Sequence, residues 1–98
     1  MTPNRFIIAV HGFDSDEQKQ LSDFFSESEG CGWWHWIDGF WLVVDTQGKF
    51  NVAAIQEKIR EIGAPGRSLV LCVSPNAWSG YGPNTRDKDM FRWIHSNW

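Results

Sequence analysis

Three histidines, His11, His35 and His95, and the carboxylate Asp14 are the residues whose types and places suggest chemistry. His11 closes a short apolar run, and His35 stands inside Trp33-Trp34-His35-Trp36-Ile37. On neighbouring strands of one sheet face the two imidazoles would approach each other. Such a pair near neutral pH can move protons or bind a metal. No cysteine or carboxylate stands at ligand spacing around either, which favours two amphipathic rings satisfied by a carbonyl or water. His95 falls in a terminal helical pattern and reads as solvated. Asp14 opens a helical segment and has competing work there as a cap. There is no Ser-His-Asp order and no H-E-x-x-H. Gly80-Tyr81-Gly82-Pro83 lacks the strand-to-helix setting and the lysine of a phosphate loop. Cys31 and Cys72 form no C-x-x-C pair and read as free thiols of a reducing cytoplasm, a lone disulfide being the alternative.

These residues must be positioned by a small body. A chain of 98 residues makes one domain, 1–98, and closes a core without obligatory staples. With 42% apolar and 21% charged residues it is globular rather than disordered. A net charge of −3 argues against a general nucleic-acid binder, without excluding a local basic site. Seven Trp and seven Phe are an aromatic excess that belongs in cores and interfaces. The run Phe6 to Val10 is too short to span a membrane and lacks the flanks of a signal peptide, so a cytoplasmic protein without a membrane partner is expected.

The elements read in a clear order. Arg5 to Val10 is a first strand. Asp14 or Ser15 caps a helix, with Glu17 or Gln18 completing a capping box. Leu21, Phe24 and Phe25 give that helix one buried stripe, and Gly30-Cys31-Gly32 stops it. Trp33 to Ile37 and Phe40 to Val44 are strands joined at Asp38-Gly39, a hairpin signal whose two turn positions call for positive φ. Asn51 caps a second helix carrying Val52, Ile55, Ile59 and Ile62, ended by Gly63 and Pro65. Ser68 to Val73 is a fourth strand, Pro75 to Asn84 a loop, and Asp87 to Trp98 a last helix with Met90, Phe91, Ile94 and Trp98 on one side. The order βαββαβ plus a C-terminal helix fits an α+β, ferredoxin-like split βαβ domain with its helices on one sheet face.

A two-residue turn sets Ile37 opposite Phe40, Trp36 opposite Trp41, His35 opposite Leu42 and Trp34 opposite Val43. One face then holds Trp34, Trp36, Trp41 and Val43, and the other Trp33, His35, Ile37, Phe40, Leu42 and Val44. The first strand repeats the pattern, Phe6, Ile8 and Val10 against Ile7, Ala9 and His11. So does the fourth, Leu69, Leu71 and Val73 against Val70 and Cys72. A sheet with one wet face alternates apolar with polar, and this one does not. The expectation is a homodimer through the open face, with Trp33, Trp34, His35, Trp36, Trp41, Ile7 and Ala9 as interface residues. The alternative is a C-terminal helix folded back over that face.

The run Trp33-Trp34-His35-Trp36-Ile37-Asp38-Gly39-Phe40-Trp41-Leu42-Val43 resembles the hairpin of small bacterial SinR-like proteins, relatives of the ferredoxin-fold CRISPR-associated protein two family. Trp78-Ser79-Gly80-Tyr81-Gly82, Phe91-Arg92-Trp93-Ile94 and Asn97-Trp98 are similar as well. The resemblance implies a homodimer of ferredoxin-like subunits in a bacterium or its phage, close to nucleic-acid biology. Members of the wider group are metal-dependent endonucleases, structural adaptors in spacer acquisition, or antitoxin ribonucleases. The nuclease-like relatives carry a carboxylate at the end of the first strand, and aligning on His11 puts that position at Ala9. Alanine cannot ligate Mg²⁺, which needs hard oxygen ligands. Only a shifted alignment would promote Asp14 to a ligand, so no metal or other cofactor is expected unless that nuclease reading holds.

A single-stranded RNA platform is a further class, since split βαβ sheets stack bases on strand aromatics. Gly39-Phe40-Trp41-Leu42-Val43 echoes its third-strand signature, but Asp38 stands where a basic residue leads and Asp45 where an aromatic ends it. A small-ligand regulatory module is permitted by the fold and argued for by no residue. The sequence therefore points to a non-enzymatic homodimeric adaptor or regulator in a nucleic-acid-related system, whose first partner is itself, with another protein or a nucleic acid as a second. The runner-up is a metal-dependent endoribonuclease using Asp14, His11 or His35.

Overall fold

Alternation of apolar side chains makes Asn4–His11 the first strand, β1, in the computed structural model, which describes residues 3–63, 66–74 and 77–98. Helix α1 (Ser15–Glu27) starts at a capping box: Asp14 Oδ1 accepts from the Glu17 N–H at 2.8 Å, and Glu17 Oε1 from the Asp14 N–H at 2.9 Å. Strands β2 (Cys31–Ile37) and β3 (Phe40–Asp45) form the hairpin. Asn51 caps α2 (Val52–Ile62) through the Ala54 N–H, and β4 (Arg67–Val73) follows. Of the terminators read from sequence, Gly63 closes α2, while Pro65 lies outside the described residues.

The four strands form one antiparallel sheet in the order β2-β3-β1-β4. Both long helices pack on one face. Phe6, Ile8 and Val10 from β1 and Trp41 and Val43 from β3 meet Leu21, Phe25, Ile55 and Ile59 there. Ile7, Ala9 and His11 alternate to the other face, in register with Leu71, Leu69 and Arg67 of β4.

The hairpin departs from simple opposition. Ile37 pairs with Phe40 as expected, but Trp34 then pairs with Leu42 and Trp33 with Val43, so His35 and Trp36 together oppose Trp41. This bulge transposes the expected faces: Trp33 packs toward the helices, and Trp34 is buried on the opposite face with Leu42. The turn explains the slip. Within the turn only Gly39 has positive φ, +70°, so Asp38 does not complete the doubly positive turn that matches strand twist. A bulge restores twist at the expense of one unpaired residue. A Cβ at Gly39 would strike the Val10 carbonyl oxygen, whose own N–H donates to Gly39 O at 2.7 Å.

The last helix, α3, spans only Arg92–Asn97 instead of starting at Asp87. Thr85 Oγ1 takes the Lys88 N–H at 3.1 Å and Asp89 Oδ1 takes that of Phe91 at 3.0 Å. Such local side-chain bonds hold the backbone in turns where a helix would otherwise begin. Of the expected loop, Pro75 and Asn76 lie outside the described residues, and 77–83 carry neither helix nor strand.

That C-terminal segment decides what the open face looks like. Met90 and Ile94 are buried against Trp34 and Leu42, with Phe91, Trp93 and Trp98 packed around them. Trp34 Nε1 donates to Met90 O at 2.6 Å, and Arg5 Nε donates to Asn97 O at 2.8 Å. Gly32 leaves room for the Trp93 indole beside Val44. The open face is thus covered over its β2–β3 half within the chain, correcting the expectation of a wholly bare face.

Candidate functional site

What stays uncovered is the β1–β4 half. In register there lie Ile7 with Leu71 and Ala9 with Leu69; Ile7 is half-buried at the margin of the C-terminal cluster, Ala9 is half-buried, and Leu69 is 57% and Leu71 43% exposed. Ile37, 49% exposed, continues the apolar surface at the hairpin end. At one end of this strip His11 and Arg67 face each other across the strands, both exposed. They border an open depression of about 440 Å³ that Ala9, Phe40 and Leu69 also line. Arg67 makes no ion pair among the described residues.

Asp38 of the hairpin turn is the carboxylate that lines the depression, and Gln18 of α1 holds it in place. Gln18 is buried, and its Nε2 donates to Phe13 O at 3.1 Å and to Asp38 Oδ1 at 2.8 Å. Its Oε1 accepts the Gly39 N–H at 2.9 Å, so a single amide pins the hairpin turn to the first helix. A buried amide with its donors and acceptor engaged fixes a loop where an apolar residue would leave backbone groups unpaired.

The candidate chemical residues do not converge. His35 stacks on Trp41 with centroids 4.1 Å apart and planes 5° off parallel, on the helix side. Its Nδ1 donates to Phe40 O at 2.8 Å. His11 belongs to the opposite face, so the imidazole pair expected on one face is not formed. The bulge that transposes Trp33 and Trp34 is the reason. Asp14 is exposed and committed to the α1 cap. Among the described residues no three His, Cys, Asp or Glu side chains stand close enough to hold a metal ion. His95 meets the edge of Trp78 at 5.1 Å.

The aromatic residues expected at an interface divide among three environments. Trp41 is fully buried and donates Nε1 to Ser22 Oγ at 3.0 Å, a core role. Trp33 is half-buried and donates to Ser26 Oγ at 2.8 Å, while Trp34 lies beneath the C-terminal segment. Trp36, at the bulge, is 46% exposed. Arg67 carries no weight in the sequence, and Gln18 enters there only as an alternative capping-box residue, a role that Glu17 takes. Arg67 is visible once β4 is paired in register with β1, whereas no sequence pattern distinguishes Gln18 from a solvated helix glutamine.

Cys31 and Cys72 are both free thiols. They lie on the two outermost strands, separated by three strand spacings of about 4.8 Å, well beyond disulfide reach. Burial pushes the Cys31 thiol pKa above its ordinary value, and the Asp45 carboxylate adds to the shift. No helix among the described residues is long and apolar enough to cross a membrane. Compared with protein-family models, curated proteins and solved structures, the chain matches none of them.

Proposed function

We propose that the chain is a ferredoxin-like, non-enzymatic homodimeric adaptor or regulator in a nucleic-acid-related bacterial system, of the CRISPR, toxin–antitoxin or phage-defence kind. The observation that carries this reading is the apolar strip Ala9, Leu69 and Leu71, left open although Ile7 and the β2–β3 half of the same face pack with the chain's own C-terminal segment. A surface built from alternate positions of two paired strands is contiguous, and contiguous apolar surface marks association. The strand order supports the ferredoxin-like reading. The hairpin's likeness to SinR-like proteins supports the cellular setting.

The endonuclease reading has less to stand on, because Ala9 offers no oxygen and Asp14 caps a helix. Sedimentation at micromolar concentration tests the proposal: a dimer is the expected species, and a monomer across that range overturns it. Gene neighbourhood tests the setting, with CRISPR, toxin or phage genes expected beside the coding sequence.

A further inference from the structure

Among the described residues, no strand pairs with the outer edge of β4. Val10 donates its N–H to Gly39 O, on the β3 side. Alternation along β1 therefore turns the backbone groups of Phe6, Ile8 and Val10 toward β3, and those of Ile7 and Ala9 toward β4. Leu71 and Leu69, their partners, turn theirs inward. The backbone N–H and C=O groups of Ser68, Val70 and Cys72 then point outward from the last strand of the sheet.

Edge strands are ordinarily guarded by lysine, proline, a bulge or a covering segment. The other edge, β2, carries such a guard in its His35–Trp36 bulge. Ser68–Val73 has no charge and no proline, and its register with β1 is unbroken. Both flanks of this edge carry apolar surface, broken on the helix face by the Gln56–Ser68 hydrogen bond at 2.8 Å. Leu69 and Leu71 flank it on the open face, and on the helix face a groove of about 270 Å³ runs between Val52 and Ala53 of α2 and Val70.

We infer that the edge is filled by β4 of a second copy, antiparallel about a two-fold axis at Val70, joining two four-stranded sheets into one of eight. This rests on the homodimer reading above and places its contact at the strand edge beside the apolar strip rather than on the strip itself. With Val70 opposite its own counterpart, Ser68 meets Cys72, so every outward backbone group of the three residues finds a partner. Leu69 falls opposite Leu71, closing four leucines into one cluster on the open face. Arg67 falls opposite Val73, so no like charges meet across the axis. A register that is apolar, uncharged and complete against itself favours a second copy over an unrelated strand.

The test uses the full chain. Opposed residues of a hydrogen-bonded antiparallel pair have Cα atoms about 5.5 Å apart, within disulfide reach. Val70→Cys, with Cys31→Ser and Cys72→Ser, is expected to form a disulfide-linked dimer on mild oxidation, while Ile37→Cys in the same background does not. Cys72→Pro removes an outward N–H and no hydrogen bond to β1, and is expected to weaken the dimer at least tenfold with unchanged circular dichroism. A wild-type dimer that Val70→Cys fails to link overturns the edge contact and leaves the homodimer reading standing. A wild-type monomer overturns both. If Cys72→Pro does not fold, the crosslink alone decides.

Discussion

Each thiol is set by the strand that holds it. Cys31 is half-buried opposite Asp45, and burial together with that carboxylate raises its pKa above the ordinary 9.0. The folded state therefore favours the protonated thiol. The stability this contributes is complete below the ordinary thiol value and is lost as pH rises through the raised folded value. Cys72 is exposed on β4. Alkylation followed by mass spectrometry is expected to modify Cys72 first at pH 8, with Cys31 reacting only at more alkaline pH. Faster labelling at Cys31 would show that it is more open than its strand position allows. The alternation of β4 is plain in the sequence. The half-burial of Cys31 is not, because it depends on which residue of β3 lies beside it.

Among the elements, the C-terminal segment does what a partner subunit was expected to do. Met90 and Ile94 cover Trp34 and Leu42, and the Trp34 indole and Arg5 guanidinium hold the segment by its carbonyls. Ile94→Asp places a charge on a buried position and is expected to cost about 2–5 kcal/mol in denaturant unfolding, or to detach the segment and increase binding of an apolar dye. Arg92→Asp alters an exposed residue whose one described side-chain hydrogen bond, to Arg86 O, is local, and is expected to cost less than about 1 kcal/mol. Equal effects of the two variants would mean that the segment does not pack on the sheet. Its apolar residues were legible as a helical stripe. Its shortened start was not, because Thr85 and Asp89 compete for backbone donors in a way periodicity does not register.

At the scale of the whole molecule, catalysis by the candidate residues requires groups that the fold keeps apart. His11 and His35 occupy opposite faces, and Asp14 is tied to Glu17. Incubation with single- and double-stranded RNA and DNA, in Mg²⁺, Mn²⁺ or chelator, is expected to give no chelator-sensitive cleavage. Asp14→Ala is expected to cost about 1 kcal/mol of stability through the lost cap and nothing else. Robust metal-dependent cleavage abolished by Asp14→Ala would make that carboxylate a ligand instead. Metal-independent cleavage lost in His11→Ala or His35→Ala would point to acid–base chemistry by histidine.

The elements, their order and the caps at Asp14 and Asn51 were determined by the sequence alone, because periodicity, capping and turn chemistry act over a few neighbouring residues. The doubly apolar sheet was equally plain, since strand alternation needs no knowledge of the fold. Tertiary structure decided the rest. Whether Asp38-Gly39 makes a doubly positive turn or a bulged hairpin depends on Gln18 and Val10 reaching the turn from elsewhere, and that choice sends Trp33 and Trp34 to opposite faces. Which half of the open face stays bare depends on where Met90 and Ile94 land, some fifty residues beyond the hairpin they cover. Both outcomes are contacts between segments distant in sequence, and composition and spacing carry no information about which of several apolar surfaces a distant apolar stripe will choose.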